Sequence, residues 1–194
     1  MRQMTHFSLT PFLQLHPPHV EGQTVWYWRG HQLNLRLTEH LSDEAPPLEW
    51  VTSARCVVFW RGRVLVVQAP HHYHIMPGGR REPGESLLQT VEREVLEETG
   101  WAINNLHLLG FRHFHHLSPK PPGYPFLYPD FLQVVFTGWA VEFRPEAKEV
   151  DGFELGSTMR PLSALADLNL TPGEHFHLRA SLQKRQAQLK RSKT

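Results

Sequence analysis

Apolar and polar positions divide this chain into recognisable elements. Residues 24–28 form an apolar, aromatic run. In residues 33–37, Leu33, Leu35 and Leu37 alternate with Asn34 and Arg36. A period of two marks a half-buried strand. Arg29 and Gly30 occupy the short connection, which predicts a hairpin. Pro11, Pro17, Pro18, Pro46 and Pro47 punctuate the same region, and no helical period is visible in it. Residues 1–50 are too short for a core of their own. The hairpin is therefore expected to pack on the main domain or on a second copy in a homodimer, with Pro46 and Pro47 as the junction.

From Ala54 the pattern is firmer. Residues 54–60 and 64–68 are apolar runs joined by Arg61, Gly62 and Arg63, a second hairpin. Residues 70–76 are a loop carrying His71, His72 and His74 that leads to Pro77, Gly78 and Gly79. A helix follows over residues 86–99. Ser86 and Gln89 have capping-box spacing at its start, and Gly100 suits a left-handed terminator. Strands are predicted over 106–114, 130–142 and 153–159, and helices over 161–168 and 172–189. Residues 117–129 hold five prolines and one glycine, and a loop of that length in a compact domain is more often functional than idle. Strands and helices mixed in this order predict an α/β sheet flanked by helices. The expected division is an extension over 1–50, a main domain over 51–180 and a basic tail over 181–194.

The predicted helix carries an arrangement that needs explaining. With Leu87 at zero on a helical wheel, Leu88, Val91 and Val95 fall within about 100° and form an inward stripe. Glu98 falls at about 20°, inside that stripe; Glu94 at about 340° and Glu97 at about 280° lie along its edge. Carboxylates this close repel one another, and one pointing inward needs a partner. Arg93 lies on another side of the helix and reaches only some of them. A hard divalent cation with oxygen ligands is the natural remaining partner. Gly78 and Gly79 allow close backbone approach and a carbonyl ligand. Glu85, at the head of the helix, is placed to hold Arg93 in orientation.

Composition narrows the class. The chain has 194 residues, 40% hydrophobic and 20% charged, with a formal net charge of +1. That charge supplies no field drawing the whole protein onto nucleic acid or a membrane. No apolar stretch approaches membrane-spanning length, and a cytoplasmic location is expected. The single cysteine, Cys56, lies in an apolar run and reads as a buried structural thiol.

Residues 79–101 resemble the Nudix box, G-x5-E-x7-R-E-U-x-E-E-x-G-U with U a bulky apolar residue. Gly79, Glu85, Arg93, Glu94, Val95, Glu97, Glu98, Gly100 and Trp101 meet every defined position. The resemblance extends over roughly residues 52–170. It implies a Nudix-like α/β/α sandwich with a mixed sheet, and hydrolysis of a nucleoside diphosphate linked to another moiety, with Mg2+ or Mn2+. It also implies Glu94 and Glu98 as core metal ligands, Glu97 binding metal or activating water, and a Gly79 carbonyl ligand. Glu85 and Arg93 would support them. The family often adds a glutamate from a later loop, and Glu146 and Glu149 are equal candidates here.

Arg80, Arg81 and His74 beside the box, and Tyr124, Phe126 and Tyr128 in the proline-rich loop, are the candidate substrate contacts. For each aromatic a packing role competes with base stacking. His113, His115 and His116 read as ordinary histidines. Pro119 and Tyr124 fall later than the markers of the ADP-ribose and diadenosine polyphosphate subclasses, so ADP-sugar, dinucleotide and NTP substrates stay open. A catalytically idle nucleotide sensor of the same fold is the alternative, but such a module has no need of the complete carboxylate set.

Overall fold

In the computed structural model, residues 8–149 and 153–191 are described. The predicted N-terminal hairpin forms from β1 (Val20–Trp28) and β2 (His31–Leu41). Arg29 and Gly30 both take positive φ, 46° and 81°, as a two-residue hairpin turn requires. The remaining strands are β3 (Val51–Trp60), β4 (Arg63–Gln68), β5 (Tyr73–His74), β6 (Gly78–Arg80), β7 (Trp101–His116), β8 (Asp130–Phe143) and β9 (Gly156–Pro161). They make one mixed sheet in the order β1-β2-β7-β8-β3-β4-β5, with β6 on β3 and β9 on β4. The β3–β8 pair is parallel, and the other pairs are antiparallel.

Helices cover both faces. On one side α2 (Leu87–Thr99) buries Val91 and Val95 against Ala54, Cys56 and Val58 of β3. On the other, α3 (Pro172–Arg191) brings Leu178 and Ala180 to Val57 and Phe59. Alternate residues of β3 thus serve opposite layers, as a strand's period dictates. This is the α/β/α sandwich that the resemblance implies.

β2 buries its apolar face within the chain, whereas β1 leaves Val25, Trp26 and Tyr27 47%, 37% and 74% exposed. Residues 35–41 of β2 pair with residues 110–116 of β7. Leu33 and Leu35 are 2% and 0% exposed, and Leu35 packs with Phe114 and Phe131. The apolar alternation that suggested a partner subunit is therefore satisfied intramolecularly.

Several elements differ from the sequence pattern. A seven-residue helix, α1 (Leu9–Leu15), precedes the hairpin and buries Leu9 in the α2-side core. Pro11 reads as a breaker in the sequence, yet proline is tolerated in a helix's first turn, where it lies here. Leu88 is 47% exposed; the inward stripe of α2 is Thr90, Val91, Val95 and Thr99. The helix expected over 161–168 is two single 3-10 turns, Leu162–Ala164 and Ala166–Leu168, closed by Asn169 in the left-handed region. So short a segment gains little from helix propagation. The strand expected over 153–159 starts at Gly156, leaving Phe153 exposed. α3 runs to Arg191, two residues beyond the helix expected over 172–189, so residues 181–191 of the expected basic tail are helical. There the Lys184 ammonium donates to the Leu108 carbonyl at 2.6 Å, and Arg185 lies 4.1 Å from the Phe59 and Trp139 rings. Cys56 is fully buried, and burial raises its thiol pKa. Among the described residues, no helix is long and apolar enough to cross a membrane.

Candidate active site

The geometry of α2 begins at its cap. The Ser86 hydroxyl accepts from the Gln89 N–H, and the Gln89 side chain accepts from the Ser86 N–H, at 3.2 and 2.9 Å. This reciprocal box fixes where the helix starts and so places Glu85 beside it. The C-terminal end stops at Gly100, which takes φ 74°.

Arg93 is the hub of the site. Its Nε and Nη2 reach the two oxygens of Glu85 at 2.7 and 3.0 Å. Its Nη1 donates to Glu94 at 2.9 Å and to Glu97 at 2.8 Å. Nη2 also donates to the Arg80 carbonyl at 3.1 Å, tying α2 to β6. Glu85 takes further hydrogen bonds from the Glu82 N–H and the Thr90 hydroxyl. The Arg93 hydrogen bond holds the Glu85 carboxyl down at about 2, and Arg93 is itself raised.

Glu98 is separate from this fork, as the wheel predicts. Its Oε2 accepts from the Gly78 N–H at 2.8 Å. Burial lifts its carboxyl to about 8; the Gly78 N–H and Arg55 oppose that, while Glu154 and Glu94 add to it. Burial also raises Glu94, against the pull of Arg93. Gly79 touches this group closely. A Cβ there would stand 2.2 Å from Glu94 Oε2. At Gly78, with φ 136°, a Cβ would meet the Ala54 carbonyl at 2.2 Å.

Among the described residues no three His, Cys, Asp or Glu side chains converge on one point. Glu94 and Glu97 are turned to Arg93 and Glu98 to Gly78. The donor set still fits a hard divalent cation: all its side-chain atoms are carboxylate oxygens on one helix side, and Glu98 is a desolvated acid without a bonded cation.

Two cavities flank the carboxylates. The larger, about 670 Å³, lies between β1 and residues 79–81. Arg80, Arg81, Tyr124 and Phe126 line it, with Trp26 and Trp28 from the hairpin. The smaller, about 300 Å³, contains Glu98, His74, Arg112 and Glu154. Arg55 lines both. Burial, then the Arg55 charge, pushes His74 down to about 3.

Tyr128 is the one proposed substrate contact that lines neither cavity. Its hydroxyl donates to the Ser118 carbonyl at 3.1 Å, and its ring packs on His116. It therefore serves the loop. His113 and His115 both bond Asp130 Oδ1, at 2.7 and 2.8 Å. Glu146 is exposed in the turn Pro145–Ala147. Glu149 is also exposed, but its N–H donates to the Glu97 carbonyl at 2.9 Å, which docks this loop on the end of α2. Glu154, five positions beyond Glu149, adds with Glu94 to the raising of Glu98.

Sequence reasoning missed Arg55. A lone charge in an apolar strand was the available signal. Its Nη1 donates to the Met76 carbonyl at 3.1 Å and its Nε to Gln133 at 3.3 Å. Gln133 also accepts from Arg112, whose Nε reaches Glu39 at 3.2 Å. Glu39 is 1% exposed, and its other oxygen bonds His177 of α3 at 2.9 Å. Burial pushes the Glu39 carboxyl up, but the His177 bond and the Arg112 charge outweigh it and hold it below the usual range. A polar row thus crosses four strands under the cavities. No linear motif encodes it, because strand register brings its members together.

A family model described as NUDIX domain matches residues 23–180, which takes in most of the hairpin. The "Uncharacterized Nudix hydrolase YvcI" of Bacillus subtilis (strain 168) is 43% identical over 56 residues, 28% of this chain. That match spans only 35% of the relative's length. A NUDIX hydrolase structure from Nitrosomonas europaea superposes with a TM-score of 0.54 at 24% identity, covering 69% of this chain and 90% of the other. A variant of the Bacillus subtilis pyrophosphohydrolase BsRppH gives 0.56 at 18% identity, covering 86% and 97%. At these identities the two structures speak for a common fold.

Proposed function

This chain belongs to the Nudix family, and on that premise we propose that it is a metal-dependent pyrophosphohydrolase acting on a nucleoside diphosphate linked to another moiety. The observation that carries the reading is the carboxylate face of α2. Arg93 forks across Glu85, Glu94 and Glu97 while Glu98 sits desolvated beside a cavity.

Glu94, Glu97, Glu98 and the Gly79 carbonyl would hold Mg2+ or Mn2+. Such an ion, when bound, neutralises the carboxylates and the phosphate oxygens and favours ionisation of water. The rest falls to the chain. Glu85 fixes Arg93, and Arg93 fixes the rotamers of Glu94 and Glu97. Arg55, in the wall between the cavities, offsets phosphate charge. Glu97, partly exposed at the edge of the helix, would take the proton of an attacking water if it does not itself ligate the ion. The water oxygen bonds phosphorus, the bridging P–O bond breaks, and two phosphate products leave. For the additional downstream carboxylate, Glu154 joins Glu146 and Glu149 as a candidate, and its electrostatic coupling to Glu98 favours it.

The test is phosphate-product release with magnesium across ADP-sugars, dinucleotides and nucleoside triphosphates. Wild type should turn over at least one class, and Glu98→Gln should lose orders of magnitude in rate. Equal inactivity of both proteins on every class, with nucleotide binding intact, would instead favour an idle binding module. An ADP-sugar yields a nucleoside monophosphate and a sugar phosphate, whereas a triphosphate yields pyrophosphate.

A further inference from the structure

We propose that the larger cavity, walled by the N-terminal hairpin, is a nucleoside 5′-phosphate site in which Trp26 supports the nucleobase and Ser53 bonds its edge. This deepens the pyrophosphohydrolase reading and rests on it for where the phosphates lie.

Three observations meet in this cavity. The first is aromatic surface that the core does not consume. Trp26 is backed by Phe114 and Phe131, at ring distances of 5.1 and 5.6 Å, yet stays 37% exposed. Trp28 packs edge-on against Tyr124 at 5.4 Å, which joins the hairpin to the proline-rich loop. A flat, rigidly backed indole suits a planar base, since every base has a π face to stack.

The second is unspent hydrogen-bonding capacity. Ser53 is only 6% exposed, and its hydroxyl has no partner; Arg81 Nε is likewise buried and unbonded. Both residues line the cavity. Buried polar atoms are ordinarily satisfied, so an orphan hydroxyl in a pocket wall points to a ligand that completes it. Gln133, beside them, commits its carbonyl oxygen to Arg55 and Arg112. Its amide nitrogen is the group it can still offer. A hydroxyl and an amide donor suit the polar edge of a nucleobase.

The third is charge. Arg55, Arg80 and Arg81 line the cavity, against the single carboxylate of Glu49. Arg80 lies 4.1 Å from the Phe126 ring. An aromatic and basic lining matches a base carrying a phosphate better than a neutral aromatic or an acidic peptide. A volume of about 670 Å³ is adequate for a nucleotide. Because Arg55 also lines the cavity containing Glu98, a phosphate drawn to Arg55 lies on the way to the carboxylates. The hairpin is then a substrate-recognition wall as well as a two-stranded extension of the sheet.

The experiment uses the full chain without divalent metal. AMP, GMP, CMP and UMP are titrated by calorimetry and tryptophan fluorescence, with ribose 5-phosphate as the base-free control. At least one nucleotide should bind and change the fluorescence, and ribose 5-phosphate should bind much more weakly. Trp26→Ala should weaken binding by about tenfold to a hundredfold, the range for loss of a base-stacking aromatic. Ser53→Ala should weaken it several-fold without lowering Tm, since the hydroxyl it removes has no partner in the fold. This second variant guards against misfolding of Trp26→Ala. The proposal is overturned if none of the nucleotides binds at millimolar concentration, if ribose 5-phosphate binds as tightly, or if Ser53→Ala binds like wild type. The hydrolase reading fails separately. A chain inactive on every substrate class, whose nucleotide binding still depends on Trp26 and Ser53, keeps this site and loses that activity. An active chain whose KM ignores both residues keeps the activity and loses this site.

Discussion

Gly78 and Gly79 are neighbours in β6, and alanine at each should fail for a different reason. At Gly79 an added Cβ meets Glu94 Oε2 at 2.2 Å and its Cδ at 2.5 Å. These atoms end a flexible side chain, so the carboxylate can retreat. Ordinary contact requires a retreat of about 1 Å, which pulls Glu94 from Arg93 Nη1. Arg93 keeps Glu85 and Glu97, so losing one charge-assisted hydrogen bond costs about 1 kcal/mol. For a chain of this size Tm should fall by no more than about 4 °C. Turnover should fall by about a hundredfold, as expected when a metal-binding group is displaced by 1 Å. At Gly78 the Cβ meets backbone instead, the Ala54 carbonyl at 2.2 Å and the Arg55 Cα at 2.7 Å, and φ is 136°. Positive-φ strain together with overpacking costs about 2–5 kcal/mol, a Tm loss on the order of 10 °C. Thermal unfolding by circular dichroism and phosphate-release rates, measured on both variants, decide the matter. Equal Tm losses, or a Gly79→Ala protein with wild-type turnover, would refute the account of Gly79 as space reserved for the Glu94 carboxylate.

Arg93→Lys should keep the fold but lower kcat by about 10- to 100-fold, because an ammonium cannot span both Glu85 oxygens and still reach Glu94 and Glu97. Wild-type kcat in this variant would rule out the fork as a positioning device. Glu174 is 5% exposed and accepts from the N–H groups of Ile75 and Thr171 at 3.0 and 2.9 Å, joining the histidine loop to the start of α3. Glu174→Ala removes a helix cap and orphans a buried N–H, so stability should drop by about 2–4 kcal/mol in denaturant titration; a drop under about 0.5 kcal/mol contradicts this. His74 is held at about 3 by burial and Arg55, below its ordinary 6.5. The unfolded chain therefore takes up a proton that the fold refuses, and stability is lost as pH falls from about 6.5 toward 3. His74→Gln should flatten the decline in Tm between pH 7 and pH 5, and parallel curves for the two proteins would count against it.

The carboxylate helix was legible because its information is local. Ser86, Gln89 and Gly100 set its ends through bonds spanning a few residues, Glu85 directly precedes the cap, and Arg93, Glu94, Glu97 and Glu98 are placed by helical period. The hairpin was legible for the same reason, from alternation and a turn that tolerates positive φ. Failures came where context outweighed local pattern. Pro11 lies inside α1, Leu88 faces outward, and residues 162–168 make 3-10 turns.

The amino-acid sequence by itself determined the chemistry available to this protein: a run of carboxylates on one helix side, the arginine that orients them, and glycines leaving room beside them. Only the tertiary structure decided what surrounds that chemistry. Register across β2, β7 and β8 aligns Glu39, Arg112 and Gln133 beneath the cavities, and Arg55 of β3 reaches Gln133 from two positions along, though the four lie far apart in the chain. Docking of the hairpin turns Trp26 from an edge-strand aromatic into a wall of the larger cavity. Sheet pairing is non-local, so a strand's partners, and hence the neighbours of its side chains, are fixed by the burial of the whole sheet rather than by any segment of it.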